Sequence, residues 1–244
     1  VEYNSERKTE EFGYMWESFK SSFVLNFVED SRWKYLTDGL LVTLKITFFA
    51  VLIGILLGFT VAIIRNTYQN TGKMKAANWV CGLYLTIIRG TPVVVQLMIV
   101  YFVIFGSVRI DKALTAILAF GINSGAYQAE IFRSGIQSIP RGQFEAGRSL
   151  GFSYQQTMLK IIMPQAIKNV IPTLCNEFIT LLKETSVAGY IALEDLTKGG
   201  DIIRSRTYSA FMPLMAVALI YLLMVILLEK GVKYIERRLK QNER

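Results

Sequence analysis

The sequence predicts an all-α integral membrane protein: five transmembrane helices, N-terminus outside, C-terminus cytoplasmic, and a helical loop in the cytoplasm. Three observations predict it. Hydrophobic residues make up 52% of the 244 and charged residues only 19%. The apolar residues gather into runs of roughly 20, the length that crosses a bilayer core. Basic residues collect on alternate connections between the runs, so the net charge of +8 reports topology rather than nucleic-acid binding.

Residues 1–38 mix charge with aromatic rings, and lack the apolar centre of a signal peptide. Phe12, Met15, Trp16, Phe19 and Phe23 recur at three and four, so they share one helical face, with Glu11, Glu17 and Lys20 elsewhere. A helix lying in the outer membrane interface has this pattern. So does a helix packed on another subunit. The first span is read at 39–64, where the only charge is Lys45, near enough to the end to snorkel. Gly54 and Gly58 form a G-x-x-x-G pair, either a site of close helix approach or a chance pair in a glycine-tolerant setting.

Residues 65–89 begin polar and turn apolar, with Arg65, Lys73, Lys75 and Arg89 and no acid. The apolar run 92–106 is short for a span at about 22 Å. A second span is therefore expected to start before Pro92 and kink there, with Arg89 at the interface. The third is read at 113–137, apolar first and then carrying Asn123, Ser124, Tyr127, Gln128, Glu130 and Arg133. The fourth, 167–191, is unusually polar, and the fifth, 208–228, is clean apart from Pro213. From Glu229 the tail is basic, which suits orientation and contact with anionic membrane lipid. Placing the C-terminus inside puts fifteen Lys and Arg on the cytoplasmic connections against eight outside, which fixes the predicted orientation.

Several function classes are excluded. Without histidine there is no Ser-His-Asp or Cys-His catalysis and no H-E-x-x-H zinc site. Cys81 and Cys175 make neither a metal-ligand spacing nor a disulfide framework. No G-x-x-x-x-G-K-[ST] string occurs, so the chain has no P-loop. No cofactor and no metal is expected on it, and it is not expected to be an enzyme.

The polar segment 139–164 follows from orientation as a cytoplasmic loop. Pro140 opens a short helix from Gln143 to Leu150, and Gly151 stops it. A second helix is capped by Ser153 and expected to end at Pro164. Glu145 is the only acid in this hairpin, so it reads as a docking element.

The spacing Glu145-Ala146-x-x-x-x-Gly151, then Ile161-x-Met163-Pro164, resembles the E-A-A loop of ABC importer permeases. Gly147 stands where the pattern has a second alanine, and Met163 where it has leucine. Three further strings resemble the polar amino acid permeases of the histidine/glutamine/arginine branch. They are Arg89-Gly90-Thr91-Pro92 with Gln96-Leu97, Asn123-Ser124-Gly125-Ala126-Tyr127 with Ala129-Glu130-Ile131-Phe132-Arg133, and Leu182-Lys183-Glu184-Thr185-Ser186. The resemblance runs from about residue 39 to the end and leaves 1–38 without a family role. It implies a type I ABC importer permease of the bacterial inner membrane, with 39–244 as its transmembrane domain. Two permease subunits, either two copies or a copy and a paralogue, would pair. Each would seat its coupling helix, with Glu145, Ala146, Gly147, Arg148 and Gly151, on an ATP-binding cassette subunit that holds ATP and Mg. An extracytoplasmic binding protein would deliver the amino acid.

Ionisable groups at mid-depth cost about 2.5–3.5 kcal/mol on insertion scales, so each asks for a reason. Thr173, Asn176, Glu177, Thr180 and Glu184 form one polar stripe on the fourth span. Glu177 and Asn123 fall at similar depth near the midplane, where transporters place their sites, with Tyr127 one turn from Asn123. Asn123, Tyr127, Asn176 and Glu177 are therefore candidate substrate ligands: the carboxylate for an ammonium or cationic side chain, the asparagines for a carboxylate or amide. Tying helices together would use the same residue types. Glu130 and Arg133, three apart, read as an ion pair on one face. An ATP-independent carrier or channel would use the same stripe but leave the loop motif unexplained.

Overall fold

A computed structural model describes the backbone of residues 2–241 and the side chains of residue 11 and residues 13–239. The Phe12 and Lys240 side chains, and Arg244, lie outside the described residues. Every element among them is helical.

Helix α1 (Glu2–Phe23) continues through a π-turn at Val24–Val28, and the chain reverses at Asp30 and Ser31, both at positive φ. Asn26 fixes this corner. It is fully buried, donates to the Ser22 carbonyl at 2.8 Å and to Ser209 Oγ at 3.3 Å, and accepts from Thr207 Oγ1 at 2.8 Å.

Helix α2 (Trp33–Thr71) is longer at both ends than the expected 39–64 span. Lys34, Asp38 and Arg65 do not end it, because a charged side chain that is exposed, or half-buried as Arg65 is, leaves the backbone ladder intact. Gly72 ends it instead, at φ 68, where its N–H reaches the Tyr68 carbonyl at 2.9 Å.

Helices α3 (Lys75–Gly90) and α4 (Val93–Met98, extended by a π-turn to Ile104) meet at 109°. A kinked single span was expected, and this is a break. Thr91 and Pro92 are both extended, and the freed acceptors are satisfied by two side chains, with Thr91 Oγ1 donating to the Ile87 carbonyl at 2.8 Å. Gln96 Nε2 lies 2.8 Å from the Ile88 carbonyl, 3.0 Å from the Thr91 carbonyl and 2.8 Å from Thr91 Oγ1.

Helix α5 (Lys112–Gln137) starts at Asp111, whose side chain accepts the Leu114 N–H at 3.0 Å. It packs closely along α2. A Cβ on Gly54 would lie 2.6 Å from Gln128 Nε2, and one on Gly58 would lie 2.7 Å from the Ala129 nitrogen. The G-x-x-x-G pair is thus the seam between these two helices.

Next come α6 (Arg141–Ser149), α7 (Tyr154–Thr157) and α8 (Met163–Glu184). The helix begun at Ser153 does not end at Pro164. A π-turn at Met158–Ile162 widens the backbone, the Met163 N–H reaches back to the Met158 carbonyl, and Pro164 sits in the first turn of α8, where no N–H is needed. The fourth span, expected to reach 191, ends at Glu184. Thr185–Ile191 tightens into a 3₁₀ turn whose Ala188 and Ile191 join the central core of Ile46, Ala50, Leu97, Phe120 and Leu181.

Asp195 caps α9 (Leu196–Thr207) by accepting from the Thr197 and Lys198 N–H groups. The Leu196 N–H donates to Thr43 Oγ1 at 3.1 Å, which binds α9 to α2. Helix α10 (Phe211–Gln241) takes in the basic tail beyond the expected end at 228. By length and apolar composition α2 and α10 could each cross a bilayer, and the α3–α4 pair could make a third. Helices α5 and α8 have 26 and 22 residues but are interrupted by polar side chains.

Candidate functional site

Two features stand out: a polar cavity among α3, α5 and α8, and the hairpin formed by α6 and α7.

The cavity holds about 450 Å³ and is lined by Arg89, Tyr127, Glu130, Ser134, Ser138, Asn169, Thr173 and Glu177. Helix α3 supplies the arginine, α5 the tyrosine and first glutamate, and α8 the second. Glu130 is held by Arg133 one turn on, and Arg89 Nη1 approaches its other oxygen at 3.9 Å. The Arg89 guanidinium also lies 5.7 Å from the Tyr127 ring centre. Glu177 differs. It accepts from Ser124 Oγ at 3.3 Å and makes no ion pair among the described residues. Gln128 supports Ser124 by donating at 2.8 Å, while its own Oε1 is buried without a partner. One wall therefore carries an uncompensated carboxylate, and another carries an arginine only loosely paired. Opposite charges across a polar cavity suit a zwitterion.

Of the four candidate ligands, the structure brings Tyr127 and Glu177 to this cavity. Asn123 is buried and donates to Gln96 Oε1 at 2.9 Å, so it ties α5 to the break between α3 and α4. Asn176 is exposed on α8 beside Glu177 but does not line the cavity. Arg89 and Asn169 line it and were not read as ligands. Arg89 is exposed and lines the cavity at the end of α3, just before a break that periodicity does not show.

The hairpin is built to be rigid and to face outward. Helix α6 ends in a two-bond C-cap: the Gly151 N–H reaches the Arg148 carbonyl at 2.9 Å and the Phe152 N–H reaches the Gly147 carbonyl at 3.0 Å. Gly151 has φ 80, and its missing side chain would meet nothing, so the backbone conformation is what requires glycine. Gly147 is the reverse case. It is buried, and a Cβ there would lie 2.6 Å from Thr157 Cγ2. That contact accounts for glycine where the family pattern has alanine.

Ser153 and Gln156 close a reciprocal capping box on α7. Phe144 packs into a small core of Ile136, Ile139, Met158 and Ile162. Glu145, Ala146 and Arg148 face solvent, flanked by Leu150 and Leu159, each at least 70% exposed. One tie was not foreseen: Asn66, near the C-terminal end of α2, donates to the Tyr154 hydroxyl at 2.8 Å. It fastens the hairpin to the longest helix.

Residues 50–241 match the family described as the binding-protein-dependent transport system inner membrane component. The chain belongs to that family. Among its relatives, the arginine transport system permease protein ArtQ of Bacillus subtilis (strain 168) is 36% identical over 211 residues, covering 86% of this chain and 94% of that one. The probable glutamine ABC transporter permease protein GlnM of the same organism is 39% identical over 206 residues, covering 84% and 93%. A crystal structure of an amino acid ABC transporter with histidines superposes with a TM-score of 0.79 at 40% identity, covering 87% of this chain and 98% of that one. The MetNI methionine ABC transporter, inward facing, has a TM-score of 0.72 at 22% identity and shows the shared fold. This chain is thus a membrane permease component with the type I importer fold.

Proposed function

We propose that the chain is the permease subunit of an ATP-driven importer that carries a polar or charged amino acid into the cell by alternating access. It works as a pair, with a second copy or a paralogue. ATP and Mg belong to separate ATPase subunits, and an extracytoplasmic binding protein presents the substrate. The permease spans the bacterial inner membrane five times, N-terminus out and C-terminus in. Helix α2, the α3–α4 pair, α5, α8 and α10 make the five crossings. Helices α5 and α8 keep their polar faces away from lipid and toward the path. On the outer side, the exposed Met15, Trp16, Phe19 and Phe23 of α1 lie in the membrane interface, held in place by the Asn26 corner.

The observation that carries this reading is Glu177, without an ion pair among the described residues, in a cavity that also presents Arg89. Glu177 receives the substrate ammonium or a cationic side chain, and Arg89 receives the carboxylate. The neighbouring hairpin, which has no catalytic constellation, passes ATPase motion to α2 through Asn66 and to α8 through the continuous π-turn. Relatives whose names specify arginine and glutamine support the substrate class.

Reconstituted vesicles carrying the complete transporter test it. Glu177→Gln is expected to abolish uptake or change which amino acid is carried, with ATP hydrolysis retained. Wild-type uptake and selectivity in that variant would remove Glu177 from the site.

A further inference from the structure

A second cavity, apolar and of about 450 Å³, lies between α8 and α10 with one edge on α2. Leu174, Cys175 and Phe178 form one wall, and Leu228, Gly231 and Ile235 form the other. Gly231 has no packing reason to be glycine. It sits in the middle of a helix, where glycine is the poorest residue after proline, and a Cβ there would meet nothing within 4 Å. The notch is open rather than filled by a neighbouring helix of this chain.

The charge around the groove is arranged along it. On α8, Lys168 stands three residues before Ile171 and seven before Cys175, on the groove face one turn below the apolar wall. It is exposed and makes no ion pair among the described residues. On α10, Arg238 stands three residues after Ile235 and seven after Gly231, again on the groove face. Its Nε donates to the Tyr234 hydroxyl at 3.0 Å, which restrains the guanidinium one turn back along α10. Lys230, Lys233 and Arg237 lie on the other faces of this stretch of α10, with Glu229 and Glu236 among them. An apolar slot with a cationic mouth at one end matches a single amphiphile: a hydrocarbon tail and an anionic head.

We propose that this groove holds an acidic phospholipid of the cytoplasmic leaflet, with an acyl chain along Gly231 and the headgroup phosphate between Lys168 and Arg238. The leaflet assignment rests on the proposed cytoplasmic C-terminus, but the site itself does not. Bound there, the lipid would bridge α8, which carries Glu177, to the peripheral α10.

The test is native mass spectrometry of the complete transporter in neutral detergent, titrated with phosphatidylglycerol or with phosphatidylcholine of the same chains. The wild type is expected to keep one phosphatidylglycerol per copy of this chain, with a preference on the order of 30-fold for two cationic contacts. Lys168→Glu with Arg238→Glu is expected to remove the preference. Gly231→Leu, which plugs the notch without touching the charges, is expected to lower retention of both lipids. Equal retention of the two lipids by the wild type would overturn the proposal. So would an unchanged preference in the double variant, or loss of the permease pair rather than of lipid in Gly231→Leu, because the groove would then be a subunit contact. Lipid loss with uptake intact would leave the lipid site standing as bystander chemistry. Lipid retained in a chain that carries no amino acid would strike the import reading alone.

Discussion

Helices α2 and α10 carry 18-residue stretches of nearly equal apolarity, yet that of α2 is 44% buried and that of α10 only 11%. Both are long enough to cross a bilayer. The difference lies in small and hydroxylic residues rather than in apolarity. Helix α2 carries Gly54 and Gly58 against α5 and Thr43 against α9, so other backbones come within contact distance. Helix α10 presents Leu219, Leu222, Leu223 and Ile226 outward. In lipid, hydrocarbon does not choose protein over membrane, so packing goes where side chains are small or can hydrogen-bond. Of the two, the helix that looks more like a membrane anchor is therefore the one that organises less.

The largest expected effect of this contrast is at Gly58. Gly58→Leu would drive a side chain into the Ala129 backbone, and overpacking against unyielding backbone costs about 3 kcal/mol or more. Leu219→Ala on α10, an exposed site, is expected to change stability by less than about 0.5 kcal/mol. Thermal unfolding of the two purified variants in detergent measures both, and similar melting temperatures would break the comparison.

A step smaller is Asn66→Leu, at the far end of α2. It removes the bond to Tyr154 and should cost about 1 kcal/mol. Its clearer signature would be faster protease cutting between α6 and α7 with α2 itself unaffected. Equal cutting rates in variant and parent would mean that the tie does not hold the hairpin.

Smaller again, and of opposite sign, is Gly231→Ala on α10. With open space at its Cβ it should raise stability by about 0.5–1 kcal/mol through helix propensity alone. In delipidated protein, a fall in melting temperature would show that a protein segment packs there.

The least effect is expected in α9, between the two helices. Lys198 and then Arg204 hold the Asp201 carboxyl below the usual aspartate range. A depressed carboxylate contributes stability that is present above the unfolded value and lost as pH falls through the folded one. The group is partly exposed, so screening keeps the effect slight. Comparing acid melting curves of wild type and Asp201→Asn should show a small gap at neutral pH that closes on acidification. A gap that widens instead would reverse the assignment.

What the sequence makes legible follows the same physics. The bounds of α5 read within one residue because an apolar run passes into a polar half without a break; the capping Asp111 is the signal the sequence reading left unused. The α3–α4 break and the passage through Pro164 were misread because a proline signals lost hydrogen bonds but not how they are replaced. At Thr91 the replacement is Gln96 and the chain turns, whereas at Pro164 it is a π-turn and the helix runs on. Glu177 was singled out because a carboxylate in an expected span needs a reason, and it does line the cavity. The destination of Asn123 was not, because an amide serves a substrate or another helix equally well. The Asn66–Tyr154 bond joins residues 88 apart, and no local pattern announces it.

The central claim is that the chemistry driving this permease lies in another chain docked on the α6–α7 hairpin. Native mass spectrometry of the protein purified gently from its own host tests that most directly. The expected result is two permease chains, either two copies or one with a paralogue, together with two ATPase chains, and release of the ATPase when Glu145, Ala146 and Arg148 are replaced together. The chain appearing without an ATPase across several mild detergents, yet still moving amino acid down a gradient, would contradict the account and make it a carrier.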